Sequence, residues 1–267
     1  IQFGEAFDGD DALVGSYTQA GRLDSVFYFP QHFQVYGGVF TGEGPTSIIE
    51  SLRNARAVNY GAVPQDGGIG LAPQQALVNF IDNHDIPRFL YHRPDASGRT
   101  ALRAALAYLL TQDGIPCLYY GTEQEFAGGN DPMNREDLWD SGYATDGETF
   151  RWIAKLNALR KQHEALRRGN MDLRWTSNRN GPEQDAGILA FERRTQASYA
   201  LVVVNTSGDK ESETSADSLG FGTMTTTQPA GTTLVDVLSD SGEVTVGTGG
   251  QLKVRVPAHG ARIYVPK

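Results

Sequence analysis

Two stretches of this 267-residue chain place carboxylates, amides and a histidine where an apolar strand ends. Glu5 stands in the apolar run Ile1–Phe7, with Asp8 and Asp10 directly after it. Asp82-Asn83-His84-Asp85 follows the apolar segment Ala76–Ile81 without a break. An ionised carboxylate in an apolar strand is costly unless it is paired or functional. For Glu5, a capping or salt-bridged role competes on equal terms with acid–base catalysis. For Asn83-His84-Asp85 the competitors are helix capping and turn chemistry, which Asn and Asp both favour. Two polar clusters at strand ends of one sheet tip the reading toward catalysis, because parallel strand–helix barrels collect their chemistry there.

The elements that must position these residues alternate in type. Ile1–Phe7, Ser25–Phe29, Ala76–Ile81 and Ile115–Tyr120 read as strands. Between and after them, Asp11–Gln19, Ser47–Asn59, Gly98–Gln112 and Thr149–Glu164 read as helices. In the third helix Leu102, Leu106, Leu109 and Leu110 recur on one face. Four strand–helix units in series imply a parallel sheet. After Arg168 the pattern changes to short β-branched runs separated by Gly, Asn, Asp and Ser, among them Met171–Trp175, Ile188–Arg193, Tyr199–Val204, Thr233–Leu238 and Arg262–Val265. Such a series predicts an antiparallel β-sandwich or barrel. Ser207–Pro229, rich in Ser, Thr, Gly and acids, is expected as a long solvated loop. The expected division is therefore 1–168 and 169–267.

Composition narrows the partners. The formal net charge is −9, which argues against nucleic acid and anionic membrane surfaces because both repel an acidic protein. Hydrophobic residues make up 39%, enough for a sizeable core. Cys117 is the single cysteine, so no intrachain disulfide and no multi-cysteine metal cluster exists, and its apolar setting suits a small buried hydrophobe. No apolar run approaches the length of a membrane span. The N-terminus lacks the basic and apolar regions of a signal peptide and reads as a strand entered midway.

Three segments, Gly4–Asp10, Phe80–Asp85 and Gly114–Gln124, resemble the fifth, seventh and eighth strand motifs of the alpha-amylase family. Ala127–Glu136, with Trp139 and Ser141-Gly142-Tyr143, is similar to the fungal-type alpha-amylases in particular. The resemblance implies an α/β fold, the second half of a (β/α)8 barrel followed by an antiparallel β-sandwich domain. It gives Glu5 the role of general acid/base, Asp85 that of transition-state stabiliser and His84 a hydrogen bond to sugar hydroxyls. Asp131 and Arg135 match residues that hold glucose units on the non-reducing side, and Phe7, Asp8 and Gly9 fall where the leaving-group subsites lie. The competing reading of Asp131 and Arg135 is a surface ion pair worth under about 1 kcal/mol.

The implied reaction is retaining cleavage of alpha-1,4-glucosidic bonds in starch and malto-oligosaccharides. One carboxylic acid protonates the leaving oxygen while a second carboxylate attacks the anomeric carbon. In the family that nucleophilic aspartate lies on the fourth strand, and most calcium ligands also lie upstream. Calcium is therefore implied as a cofactor, with its ligands expected upstream of this chain. The other implied partner is the N-terminal half of the barrel, continuous or associated, without which the chain is expected to be inactive. An extracellular or periplasmic location follows from the resemblance alone. The alternatives are a transglycosylase or alpha-glucosidase of the same family, and a non-catalytic carbohydrate-binding protein on an inactivated barrel. Tyr28, Phe29, Tyr119, Tyr120 and Trp139 offer stacking faces for sugars, with core packing as the competing role of each.

Overall fold

Four very short parallel strands carry the first part of the chain. The structure, a computed structural model, describes residues 1–267. Strand β1 (Phe3–Gly4) pairs in parallel with β2 (Ser25–Val26), and β3 (Val78–Phe80) with β4 (Ile115–Cys117). A parallel bridge between Phe27 and Val78 joins the two pairs. The Phe27 N–H donates to the Gly4 carbonyl at 3.0 Å and the Tyr28 N–H to the Val78 carbonyl at 2.9 Å. The four strands thus stand side by side in chain order, all pointing the same way.

Helices fill the connections. α1 (Asp11–Ser16) links β1 to β2, and its start is fixed by Asp10, whose carboxylate accepts from the Ala12 and Leu13 N–H groups at 2.9 and 3.1 Å. Between β2 and β3 run α2 (Phe29–Gln31), a π-helix over His32–Thr41 and α3 (Ser47–Asn59). α4 (Ala96–Thr111) joins β3 to β4 and is capped by Asp95, which accepts from the Gly98 N–H at 2.8 Å. α5 (Glu148–Gln162) and α6 (Ala165–Arg168) close this part.

Eight further strands follow: β5 (Asn170–Trp175), β6 (Ile188–Arg194), β7 (Tyr199–Asn205), β8 (Ser212–Glu213), β9 (Thr233–Asp236), β10 (Glu243–Thr245), β11 (Arg255–Val256) and β12 (Ala261–Pro266). Six of them form an antiparallel sheet in the order β10-β9-β12-β7-β6-β5, and β8 pairs antiparallel with β11. Side chains alternate across the sheet, as a period of two demands. Leu189, Phe191, Ala200, Val202 and Val204 enter the core shared with the helices. Their neighbours Ile188, Ala190, Tyr199, Leu201 and Val203 enter a second core with Leu252, Val254 and Val256 on the other face. α4 is consequently apolar nearly all round, because it is walled in by the π-helix on one side and by this sheet on the other.

Four expectations need correction. The strands of the parallel sheet are far shorter than the apolar runs that hold them, because each run pairs with its neighbour over only two or three residues; β1 ends at Gly4, before Glu5. The first helix stops at Ser16, earlier than Gln19. The π-helix was not foreseen, for the stretch has Gly37-Gly38 at its centre and a sequence period that points to no single face. Ser207–Pro229 is no solvated loop: residues 212–216, Met224 and Thr226 are buried. Thr226 and Thr227 are held by Glu192, a fully buried carboxylate on β6 that accepts from Thr226 Oγ1 at 2.7 Å, Thr227 N at 2.7 Å, Thr227 Oγ1 at 2.9 Å and Tyr199 OH at 3.0 Å. Arg174 completes the set at 2.7 Å. Burial alone would raise the Glu192 pKa, but these hydrogen bonds and the Arg174 charge outweigh it and hold the carboxyl below its ordinary value. Thr226 is buried because a buried charge needs its hydroxyl, while Ser212 and Thr214 donate theirs to the Ala186 and Leu252 carbonyls at 2.6 and 3.2 Å.

Candidate active site

At the exit of β1, Glu5 is exposed, so the apolar burial expected of it is absent from these 267 residues. Phe7 lies exposed beside it, with its ring 4.7 Å from Phe29 and 6.0 Å from Phe33. Asp8 spends one carboxylate oxygen on the Asp10 N–H at 2.8 Å, and Gly9 lies exposed between them. Asp8 thus shapes the turn into α1.

The exit of β3 carries the denser cluster. Asp82 is buried, accepting from Thr122 Oγ1 at 3.0 Å and from the Phe89 N–H at 3.1 Å. Burial raises its pKa despite these bonds and the nearby Arg88 charge. Asn83 accepts from the Asp85 N–H at 2.8 Å, a turn that throws His84 and Asp85 outward. His84 Nε2 stands 3.4 Å from Asp85 Oδ2, and both side chains are exposed. Arg135 then ties the strand ends together. Its guanidinium lies 3.6 Å from Asp85 and 3.0 Å from Asp131, and its Nε donates to the His84 carbonyl at 3.2 Å. His84, Asp85, Asp131 and Arg135 therefore form one exposed charged group. The ion pair that competed with a binding role exists, and it includes Asp85.

What holds this group is a buried scaffold beneath it. Arg88 is 1% exposed. It donates to the Tyr120 carbonyl at 2.6 Å, pairs with Glu136 at 3.1 Å and lies 4.0 Å over the Tyr119 ring. Glu136 in turn accepts from the Gly128 N–H at 2.5 Å, and the Arg88 N–H donates to the Gly128 carbonyl at 3.0 Å. Asn134 is fully buried and donates to the Ile86 carbonyl at 2.8 Å. The turn after β4 needs Gly121, whose φ of 85° is left-handed and whose missing Cβ leaves room for the Phe126 ring. Arg88, Glu136 and Asn134 do not stand among the residues that the sequence singles out for the site. The available signal was Arg88 itself, an arginine flanked by Ile86, Phe89 and Leu90.

Behind the cluster, His32 Nδ1 lies 2.8 Å from the Ile81 carbonyl and its ring stacks on Phe80 at 5.5 Å. Burial pushes its pKa down to about 4. A histidine with a depressed folded pKa contributes stability that is complete above its unfolded value near 6.5 and is lost as pH falls from there to about 4. Acidification from about pH 7 to about pH 5 should therefore cost about 2 kcal/mol at this residue. Urea unfolding of the parent and of His32→Phe at both pH values checks this, and equal pH dependence in the two would refute it.

The aromatic candidates divide. Tyr28 and Phe29 are buried core, whereas Trp139 is 67% exposed. Tyr119 serves as the platform for Arg88, with Tyr120 edge-on to it at 4.6 Å. Cys117 is half-buried, and burial pushes its thiol up. No three His, Cys, Asp or Glu side chains converge in one group.

Parallel strand–helix units with a charged cluster at their exits, followed by an antiparallel sheet, are an arrangement in which chemistry collects at strand ends. The family model described as "Alpha amylase, catalytic domain" matches residues 1–142. The chain belongs to the alpha-amylase family. It is 28% identical over 269 residues to alpha-amylase 1 of Schwanniomyces occidentalis, covering 98% of this chain and 46% of that protein. It is 35% identical over 191 residues to a cyclomaltodextrin glucanotransferase of Bacillus sp. (strain 17-1), covering 71% of this chain and 24% of that protein. An Anoxybacillus alpha-amylase superposes with a TM-score of 0.78 at 24% identity, over 99% of this chain and 51% of that one. The chain thus spans about half the length of these proteins or less. No helix is long and apolar enough to cross a membrane.

Proposed function

We propose that residues 1–168 are the second half of a (β/α)8 catalytic barrel and 169–267 its antiparallel β-domain, in a retaining alpha-amylase acting on starch and malto-oligosaccharides. The observation that carries this reading is the joining of His84, Asp85, Asp131 and Arg135 into one exposed group at strand exits. Sugar hydroxyls are bound by such bidentate carboxylate and guanidinium donors and acceptors. Glu5 donates its proton to the leaving glycosidic oxygen. Asp85 tightens its hydrogen bonds as the ring flattens, which is binding of the transition state rather than of the ground state. The nucleophilic carboxylate and any calcium ligands come from a segment outside the 267 residues, and an extracellular location belongs to the same proposal.

The test is product analysis with maltoheptaose and the complete protein. Linear shorter products retaining the α-configuration support the reading, and sugar binding without turnover overturns it. The second reading, transglycosylation, is favoured by the 35% identity to the glucanotransferase, and cyclic or lengthened products would select it. Arg135 and Asp131 are both about half exposed, so their pair adds little stability. Arg135→Ala should leave the melting temperature unchanged and raise KM for long maltodextrins more than for short aryl glucosides. Equal effects on both substrates would return the pair to a purely structural role.

A further inference from the structure

A cavity of about 730 Å³ lies at the opposite end of the parallel strands, where Gly114 and Ile115 enter β4. Arg53, Arg56, Arg167, Arg168 and Arg193 line it, and Asp113 is its one acidic side chain. Five arginines against one aspartate make a positive hollow in a chain whose net charge is −9, although Arg167 spends one guanidinium nitrogen on the Arg160 and Lys161 carbonyls. Like charges gathered this closely repel one another unless an anion lies among them.

Asp113 cannot balance the set alone. Both of its oxygens are taken by Arg53 at 2.8 Å and by Arg56 at 2.7 Å. These two charges hold its carboxyl well below the ordinary range in spite of burial. Arg193 is 1% exposed and has no carboxylate partner. Its Nε and one terminal nitrogen donate to the Gly169 carbonyl at 3.2 and 2.8 Å and the other terminal nitrogen to the Thr111 carbonyl, which gives each nitrogen a partner but leaves the charge unbalanced. Burial pushes its pKa down to about 10. Arg168 is exposed at the rim and makes no ion pair, while Gln74 and Gln75 add amide groups to the wall.

We propose that this cavity is an anion site for a phosphate group, free or as the monoester of a sugar. Planar guanidinium forks match phosphate oxygens in pairs, and a wall that mixes arginine, glutamine and a few apolar side chains suits a phosphorylated polar body. The volume exceeds that of a bare oxyanion, which leaves room for the ester. The site stands at the strand entrances, away from the cluster at the exits, and is independent of the proposed activity.

Calorimetric titration of the protein with inorganic phosphate and with glucose 6-phosphate tests it. Saturable binding that weakens with added sodium chloride and raises the melting temperature is expected. Tighter binding of the ester assigns the site to a sugar phosphate, and equal binding assigns it to the free anion. Arg168→Gln, at an exposed position that folding does not need, should weaken binding at least about fivefold. Absence of saturable binding to either ligand, or binding that Arg168→Gln leaves unchanged, overturns the proposal.

Discussion

Glu5→Gln in the complete protein is expected to lower kcat on maltoheptaose by roughly 10²–10⁴-fold, the range for a lost general acid. The replacement keeps the shape and the hydrogen-bonding reach of the side chain and removes only the proton it would give. Because Glu5 is exposed at the exit of β1 and lies outside both cores, the variant should fold as the parent does. Substrate affinity should change little. Aryl glucosides whose phenol leaves without protonation should lose far less activity than maltoheptaose. Near-normal turnover of maltoheptaose, or an equal loss on both substrates, would remove Glu5 from the acid role.

The second large effect is on stability. Arg88→Ala should cost about 3 kcal/mol or more in urea unfolding, because a fully buried cation leaves behind its partner carboxylate and a void. Glu136 keeps only its bond from Gly128, the Tyr120 carbonyl loses its donor, and the Tyr119 ring loses the group it covers. The double variant Arg88→Met/Glu136→Gln, which keeps the volume and removes both charges, should recover a large part of the loss. A single variant as stable as the parent would mean that the loop bearing Arg135 is held by other contacts.

Much of this was legible because it depends on pattern. Ile188–Phe191 of β6 and Tyr199–Val204 of β7 are apolar without a break, and the structure shows why: successive residues enter different cores on the two faces of one sheet. The cluster around Asp85 was legible as a motif, and its residues do meet. What escaped reading depends on pairing at a distance. Arg88 has an apolar flank, but its partner Glu136 stands 48 positions away and no local pattern joins the two. Thr226 and Thr227 look like loop until Glu192 claims them across 34 and 35 positions. The exposure of Glu5 escaped reading for the converse reason, since an apolar run need not be paired along its whole length.

The walling-in of α4 bears on how this sequence can be changed by recombination. Ala104, Ala105, Leu106 and Leu109 pack within the same core as Phe191, Val202 and Ile263 of the antiparallel sheet. A crossover between relatives placed near Arg168 would separate surfaces that have been fitted to each other, although no secondary-structure element is cut there. Native-like chimaeras must inherit α4 and the sheet from one parent, or carry matched substitutions on both sides of the contact. The unit of inheritance is set by the shared core, and it crosses the boundary that the alternation of strands and helices suggests.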